Sequence, residues 1–281
     1  MQENNQNRPD ISKGRDLYVN CSVFDRTFFE KCLQEGISEI TLDGKLYEEA
    51  LFSGGGDVRT ALIQCAEYGF SPLYAPEIID WRINTPYTDY SSVREPWRGL
   101  FITPSARITG KTKRGGLVVV YAHIPTSLSD PRNLLIPTDK WGWEYWADIP
   151  VPEKEFHDLL EQADNKNVFV LDPLRCITFQ GLHKNTVKAF KSFDDHELIA
   201  YLGGVERAAK YFETHQKVYG NCIGLNRDLE LFFSADDWAT PKGHLLGMYS
   251  GHLGFQVMDK DTLYDIIEPS DYSFIATRPK S

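Results

Sequence analysis

GLVVVYAHI, residues 116–124, and NVFVLD, residues 167–172, are the two stretches that decide the fold class. Both are short, rich in β-branched residues and almost continuously apolar, which is the pattern of strands covered on both faces. Such strands are typical of parallel sheets that carry helices on either side. We therefore expect an α/β or α+β protein with a mixed, mostly parallel central sheet, flanking helices and a strand-rich C-terminal part.

Further elements lie on both sides of these strands. ISEITL, residues 37–42, is expected to form a strand. Apolar positions recur every three or four residues in VRTALIQCAEYG, residues 58–69, and PEKEFHDLLEQ, residues 152–162, begins with proline followed by acidic residues, as helices do. Residues 194–219 are also helical by pattern, with a glycine pair as a break. Residues 71–96, rich in Pro, Tyr, Thr and Ser, are expected to form an ordered loop or a junction between subdomains.

The domain organisation follows from length and composition. Residues 1–14 are polar and rich in Asn and Gln, so we expect a flexible N-terminal arm. Residues 15–281 are expected to form a single globular α/β domain, because one hydrophobic core can reach this size. A pair of subdomains, 15–95 and 96–281, is the alternative.

Charge and cysteine usage restrict the choice of partners and compartment. The formal net charge of -10 disfavours nucleic acid and anionic membranes as partners, because any attraction must be created locally against a repulsive field. The five cysteines are scattered and odd in number, which indicates free thiols in a reducing compartment. The N-terminus has no apolar signal region and no stretch is long enough to span a membrane, so we expect a cytoplasmic protein.

A cluster of basic residues interrupts this acidic chain and is opposed only by Glu95. Cationic side chains in one segment can hold phosphate or carboxylate groups through charge-assisted hydrogen bonds. The segment therefore predicts a site for an anionic small-molecule substrate, with a solvated hairpin as the alternative. Its predicted substrate-binding residues are Arg94, Arg98, Arg107, Lys111, Lys113 and Arg114.

The ends of the two apolar strands supply candidate catalytic residues. His123 ends the first strand and Asp172 ends the second. Open α/β sheets bind ligands beyond the carboxyl ends of their strands, so on neighbouring strands these side chains could act as a general base and its orienting carboxylate, or as metal ligands. In the alternative interpretation, His123 is only hydrogen-bonded and Asp172 caps the turn at Pro173.

A second group of residues suits a metal ion. His244 and His252 occur in the similar phrases GHLLG and GHLG, and Asp236 and Asp237 precede them. A hairpin could bring the two imidazoles together with a carboxylate, which suits zinc or another transition metal. The sequence identifies no cofactor, and a divalent metal is a candidate because the spacing of these residues allows it.

VERAAKYFETHQKVYGNCI, residues 205–223, resembles the helix-turn-helix of Cro-type repressors. Ala209 stands at the small helix-contact position, and Phe212 and Tyr219 stand at buried positions. The resemblance implies that the residues following Thr214 face the DNA major groove, namely His215, Gln216 and Lys217. One amphipathic helix is the alternative.

Three function classes remain after these observations. The first is an intracellular enzyme, a hydrolase or transferase, that acts on a phosphate- or carboxylate-bearing small molecule. The second is a DNA-binding regulator that uses residues 205–223. The third is a self-assembling or partner-binding structural protein, for which a homo-oligomer is the simplest form. The reaction type and substrate are left open.

Overall fold

The computed structural model describes residues 30, 33–34, 37–42, 44–52, 58–84, 101–134, 149–173, 188–189, 196–219, 224–225, 240–248 and 274–280. The chain divides into two compact units, one formed by Met1–Leu73 with Ile267–Ser281 and the other by Tyr74–Ile266. The predicted arm, residues 1–14, lies outside the described residues. The expected single domain and its alternative boundary at residue 95 stay predictions.

The first unit contains a four-stranded antiparallel sheet in the order β1-β2-β11-β3. Gly44, with φ of 73°, supplies the left-handed turn between the first two strands, where a side chain would be strained. Strand β11 pairs with β2 over six residue pairs, so segments more than 200 residues apart in the sequence meet in one sheet. The elements are β1 Ser38–Leu42, β2 Lys45–Phe52, helix α1 Val58–Glu67, β3 Ser71–Pro72 and β11 Phe274–Pro279.

An apolar core and one arginine join the elements of this unit. The rings of Phe52 and Phe70 pack with centroids 5.3 Å apart, and the Cys65 thiol is free and buried beside this core. Arg278 lies 4.5 Å from the centre of the Phe70 ring, and its Nε donates a 2.6 Å hydrogen bond to Glu48. A cation over an aromatic face with a carboxylate partner stabilises the pairing of β11 with β2.

The second unit contains a five-stranded antiparallel sheet in the order β6-β10-β4-β5-β7, and a separate two-stranded ribbon formed by β8 and β9. β4 is the central and longest strand, and ten of its eleven residues are buried. The bounds are β4 Phe101–Lys111, β5 Leu117–Ala122, β6 Ile149–Pro150, β7 Val168–Leu171, β8 Lys188–Ala189, β9 Gly224–Leu225 and β10 Lys242–Met248.

Helices cover both faces of this sheet. Successive side chains of a strand point to opposite faces, so Ser105 and Arg107 share one face and Gly110 lies on the other. Helices α2 (Ala75–Asn84) and α4 (His196–Tyr201) lie on the first face, where they form hydrogen bonds with Ser105 and Arg107. On the other face, the ring of Phe156 in α3 packs directly over Gly110. The helices are α2 Ala75–Asn84, α3 Glu153–Glu161, α4 His196–Tyr201 and α5 Val205–Tyr219.

The expected mostly parallel central sheet is wrong, because every strand pair in the described residues is antiparallel. β5 and β7 are apolar along their length, as expected, but the cause is the helical cover on both faces of an antiparallel sheet. The long connection between these strands contains a helix, which commonly leads to a parallel strand. Here β7 nevertheless runs antiparallel to β5, with Ala122 opposite Val168.

Most of the local predictions are confirmed. The expected strand at residues 37–42 and the expected helices at 58–69 and 152–162 are present within one or two residues. The helical segment at 194–219 is broken by Gly203 and Gly204, which have φ of 76° and 118°. The predicted loop at residues 71–96 is wrong where it contains α2.

The helix-turn-helix interpretation is also wrong. The Cro-type motif needs a turn near Glu213, but α5 is one continuous helix of 15 residues from Val205 to Tyr219. The alternative of a single amphipathic helix is therefore the one that the structure bears out. In the described part of the chain, no helix is both long enough and apolar enough to cross a membrane.

Candidate functional site

The most distinctive feature of the second unit is a buried polar face on its central strand. On the face of the sheet that packs against α2 and α4, four successive side chains of β4 are polar, and all four residues are buried. Burying a polar group costs free energy unless it is hydrogen-bonded. We call this feature the polar face of β4, and its members are Thr103, Ser105, Arg107 and Thr109.

A buried ion pair links this face to α4. Arg107 Nε donates to Glu197 Oε1 at 3.4 Å, and the hydroxyl of Tyr121 donates to the same oxygen at 2.6 Å. Tyr121 and His244 both lie directly opposite Arg107 in the sheet register, so all three share one face. Because one carboxylate receives donors from two strands, this cluster fixes α4 against the sheet.

His123 forms a second link between the sheet and the helices. Its Nδ1 lies 2.9 Å from Ser105 Oγ, and its Nε2 lies 2.8 Å from the backbone oxygen of Ala200 in α4. Ser105 Oγ also accepts a 2.9 Å hydrogen bond from the backbone N–H of Ala75, at the start of α2. The Ser105 hydroxyl therefore donates to Nδ1, and the imidazole is neutral with its proton on Nε2.

The environment of His123 favours this neutral form. Burial lowers the pKa of His123 to about 4, and the nearby Arg207 acts in the same direction, whereas the hydrogen bond to Ala200 and the charge of Asp164 oppose the shift. Only 6% of the residue is exposed. A general base must reach its substrate and titrate near the working pH, and His123 does neither in this conformation.

The predicted partnership of His123 with Asp172 depended on parallel strands. In the antiparallel register Ala122 pairs with Val168 and Val119 pairs with Leu171, so His123 follows one end of the strand pair and Asp172 follows the other. Five residues along a strand correspond to about 17 Å. The structure therefore does not bring these two side chains together.

The predicted metal ligands fall mostly outside the described residues. Asp236, Asp237 and His252 lie there, and His244 is buried on β10. Arg107 lies directly opposite His244 in the register, and a cationic residue at this position would oppose a metal ion there. Within the described ranges, no group of three or more His, Cys, Asp or Glu side chains is placed to hold a metal.

The structure divides the basic cluster into two environments. Arg94 and Arg98 lie outside the described residues, and Arg107 points into the buried ion pair. Lys111, Lys113 and Arg114 are all exposed and lie together at the turn between β4 and β5. For these three, the hairpin alternative describes the local structure, and their predicted role in substrate binding stays a prediction.

Hydrogen bonds define the conformation of this turn. Thr112 N–H donates to Gly116 O at 2.8 Å, Gly115 N–H donates to Thr112 O at 2.8 Å, and Gly116 N–H donates to Thr112 Oγ1 at 3.1 Å. Gly115 has φ of 82°, a backbone conformation that residues with a side chain rarely adopt. The hairpin therefore holds its cations on an ordered backbone.

Sequence reasoning missed the residues that complete the buried clusters, namely Ser105, Tyr121, Glu197 and the carbonyl of Ala200. The signal was present in FITPSARITGK, in which polar and apolar residues alternate. Such alternation ordinarily indicates a strand with one solvated face. Here helices cover the polar face, and each helix contributes a hydrogen-bonding group.

Comparison with known proteins identifies the type of fold. No family model matches the chain, and no curated protein matches it. A solved structure described as "Accommodation of massive sequence variation in Nanoarchaeota by the C-type lectin fold" is similar at 27% identity, with a TM-score of 0.61. The match covers 85% of this chain and 100% of that chain.

This similarity corrects two predictions. The C-type lectin fold is a binding-protein fold with antiparallel sheets, in agreement with the strand pairing described above and against the predicted mostly parallel α/β class. The prediction of a hydrolase has no support from it. Of the three function classes, the partner-binding protein is the closest to this fold.

Proposed function

We propose that this chain is a binding protein in which the sheet and helices of the 74–266 unit form a scaffold for surface segments that contact a partner. The observation that carries the proposal is the environment of His123. The strongest catalytic candidate in the sequence is used to join β4, the end of β5 and α4. A buried imidazole with both ring nitrogens engaged supports a structural role.

The other buried polar side chains of β4 support the same division of labour. Thr103 donates to the backbone oxygen of Leu246, and Arg107 is held by Glu197. Each of these contacts joins two elements of the scaffold. A scaffold fixed by internal hydrogen bonds tolerates changes in exposed turns, because those turns contribute little to the core.

The similar solved structure adds support from outside the chain. Its description says that the C-type lectin fold accommodates massive sequence variation in that protein. For the present chain, we infer the same separation between a fixed core and surface segments that determine what is bound. The polar face of β4 belongs to the core in this proposal.

The experiment is affinity capture with the full chain as bait, followed by isothermal titration calorimetry with the purified partner. We expect a saturable complex with a defined stoichiometry, and no binding by the same bait denatured in urea. Light scattering of the chain alone measures self-assembly, which would give multiples of its 32.1 kDa mass. Turnover of a small molecule that is lost in a His123→Gln variant with unchanged unfolding would contradict the proposal.

A further inference from the structure

The exposed turn between β4 and β5 concentrates positive charge on an acidic protein. We define the basic hairpin as residues 111–117, KTKRGGL, which carries three cations and no acidic residue. The whole chain has a formal charge of -10, so this turn differs in sign from the molecule that carries it. Hydrogen bonds hold the backbone of this turn, so the three side chains project from an ordered segment.

The charges of this hairpin are available to a partner. Among described residues 101–134, the other two cations already have carboxylate partners, because Arg107 pairs with Glu197 and Arg132 pairs with Asp130. No hydrogen bond or ion pair within the described part of the chain engages the head groups of Lys111 or Arg114.

Within the described residues, Lys113 pairs with Glu161 in α3 at 3.3 Å. Both side chains of this pair are exposed, at 70% and 72%. Exposed ion pairs of this kind are weak and easily exchanged. Lys113 can therefore leave Glu161 for a carboxylate of a partner at little cost.

An apolar side chain lies beside these charges. Leu117 pairs with Lys111 in the β4–β5 register, so the two side chains lie on the same face of the hairpin, and 36% of Leu117 is exposed. A surface that combines cations with an exposed leucine suits a peptide that carries both carboxylates and apolar residues. A phosphate backbone would use only the cations.

We propose that the basic hairpin docks onto an acidic segment of a protein partner, with Lys111, Lys113 and Arg114 contacting its carboxylates and Leu117 contacting an apolar residue. The inference rests on the proposed binding function and names the partner class. Arg114 can hold a carboxylate through two parallel hydrogen bonds, whereas the lysines act as point charges. Only three cations oppose the repulsion of the whole molecule, which favours a short acidic segment over nucleic acid.

The test uses fluorescence anisotropy with a labelled peptide of alternating Glu and Leu residues and the full chain. The variant is Lys111→Glu/Lys113→Glu/Arg114→Glu. The matched control, Lys154→Glu/Lys166→Glu/Lys210→Glu, changes the net charge equally at exposed positions elsewhere. We expect the hairpin variant to bind about tenfold more weakly than the control, because each exposed charge pair contributes a factor of about two to three.

Three further probes determine the partner class. A peptide with Gln in place of Glu should not bind, and binding of the Glu peptide should weaken as salt is raised. Equal affinity of the hairpin variant and the control would overturn the proposal, and so would tighter hairpin-dependent binding of a DNA oligonucleotide than of the peptide. If the partner captured by the full chain binds the hairpin variant as well as the unmodified chain, this proposal fails while the proposed binding function stands.

Discussion

Acidification should destabilise this protein through one buried imidazole. His123 is neutral in the folded chain, where burial lowers its pKa from 6.5 to about 4. The unfolded chain, with the ordinary pKa, binds a proton at pH values where the folded chain does not. Stability from this group is therefore fully present above about pH 6.5 and is lost progressively as the pH falls toward 4.

The size of the effect follows from the shift. A difference of 2.5 pKa units, from 6.5 to about 4, corresponds to about 3 kcal/mol at 1.36 kcal/mol per unit once the pH is below both values. Between pH 7 and pH 5 the same two pKa values give a loss of about 2 kcal/mol. This window is useful because ordinary carboxylates titrate mostly below it.

The assay is urea unfolding at pH 7 and pH 5, monitored by tryptophan fluorescence, for the unmodified chain and for His123→Gln. Glutamine can donate to Ala200 O and accept from Ser105 Oγ, but it does not titrate. We expect the difference between the two pH values to be about 2 kcal/mol smaller in His123→Gln. His196→Gln, which removes an exposed histidine, serves as the control for a His→Gln change outside the buried cluster.

Two results would refute this reasoning. The first is a pH difference that is the same in His123→Gln as in the unmodified chain, since the buried imidazole would then not be the titrating group. The second is a folded-state pKa near 6.5 for His123, measured by NMR titration of its ring carbon protons. Either result would also remove the main support for the structural role of this residue.

Two further predictions concern the packing of the second unit. Gly110→Ala should destabilise the chain by about 1–3 kcal/mol, because the added Cβ would lie 2.7 Å from Cζ of Phe156, and thermal unfolding would reveal the loss. An unchanged melting temperature would show that α3 does not pack here. Glu197→Gln should cost about 3–5 kcal/mol in urea unfolding, because it removes the carboxylate charge that pairs with the buried Arg107. Glu161→Gln, which breaks an exposed pair, should cost less than about 1 kcal/mol, and equal losses would contradict the assignment of the buried pair.

The sequence predicted local elements well where periodicity and breakers agree. Helix α3 combines a proline at its start, acidic residues in its first turn and an apolar stripe, and all three signals are local. The break between α4 and α5 was visible in the Gly203–Gly204 pair, because glycine adopts the positive φ angles of this turn without strain. Helix α2 was missed because Pro76 and the surrounding loop-forming residues hid its short apolar pattern.

Topology could not be predicted from the same signals. The apolar sequence of a strand such as β5 indicates that both of its faces are covered, but it does not indicate the direction of the neighbouring strands. The helix between β5 and β7 suggested a parallel crossover, and the observed antiparallel register depends on contacts far apart in sequence. Because the predicted pairing of His123 with Asp172 assumed neighbouring strands of a mostly parallel sheet, it depended on the same error.

Two basic residues of β4 have different roles because they occupy different positions along the strand. Arg107 and Lys111 are four residues apart in β4, so their side chains project from the same face. Arg107 lies beneath α4 and meets Glu197, whereas Lys111 lies at the end of the strand and is exposed. The two residues have the same charge and lie on the same face of the strand. The extent of the helical cover determines that Arg107 forms a structural ion pair and that Lys111 is available to a partner. The buried pair also anchors the strand that carries the hairpin. The backbone at Lys111 is therefore already ordered before a partner binds, and ordering it on binding would cost little entropy.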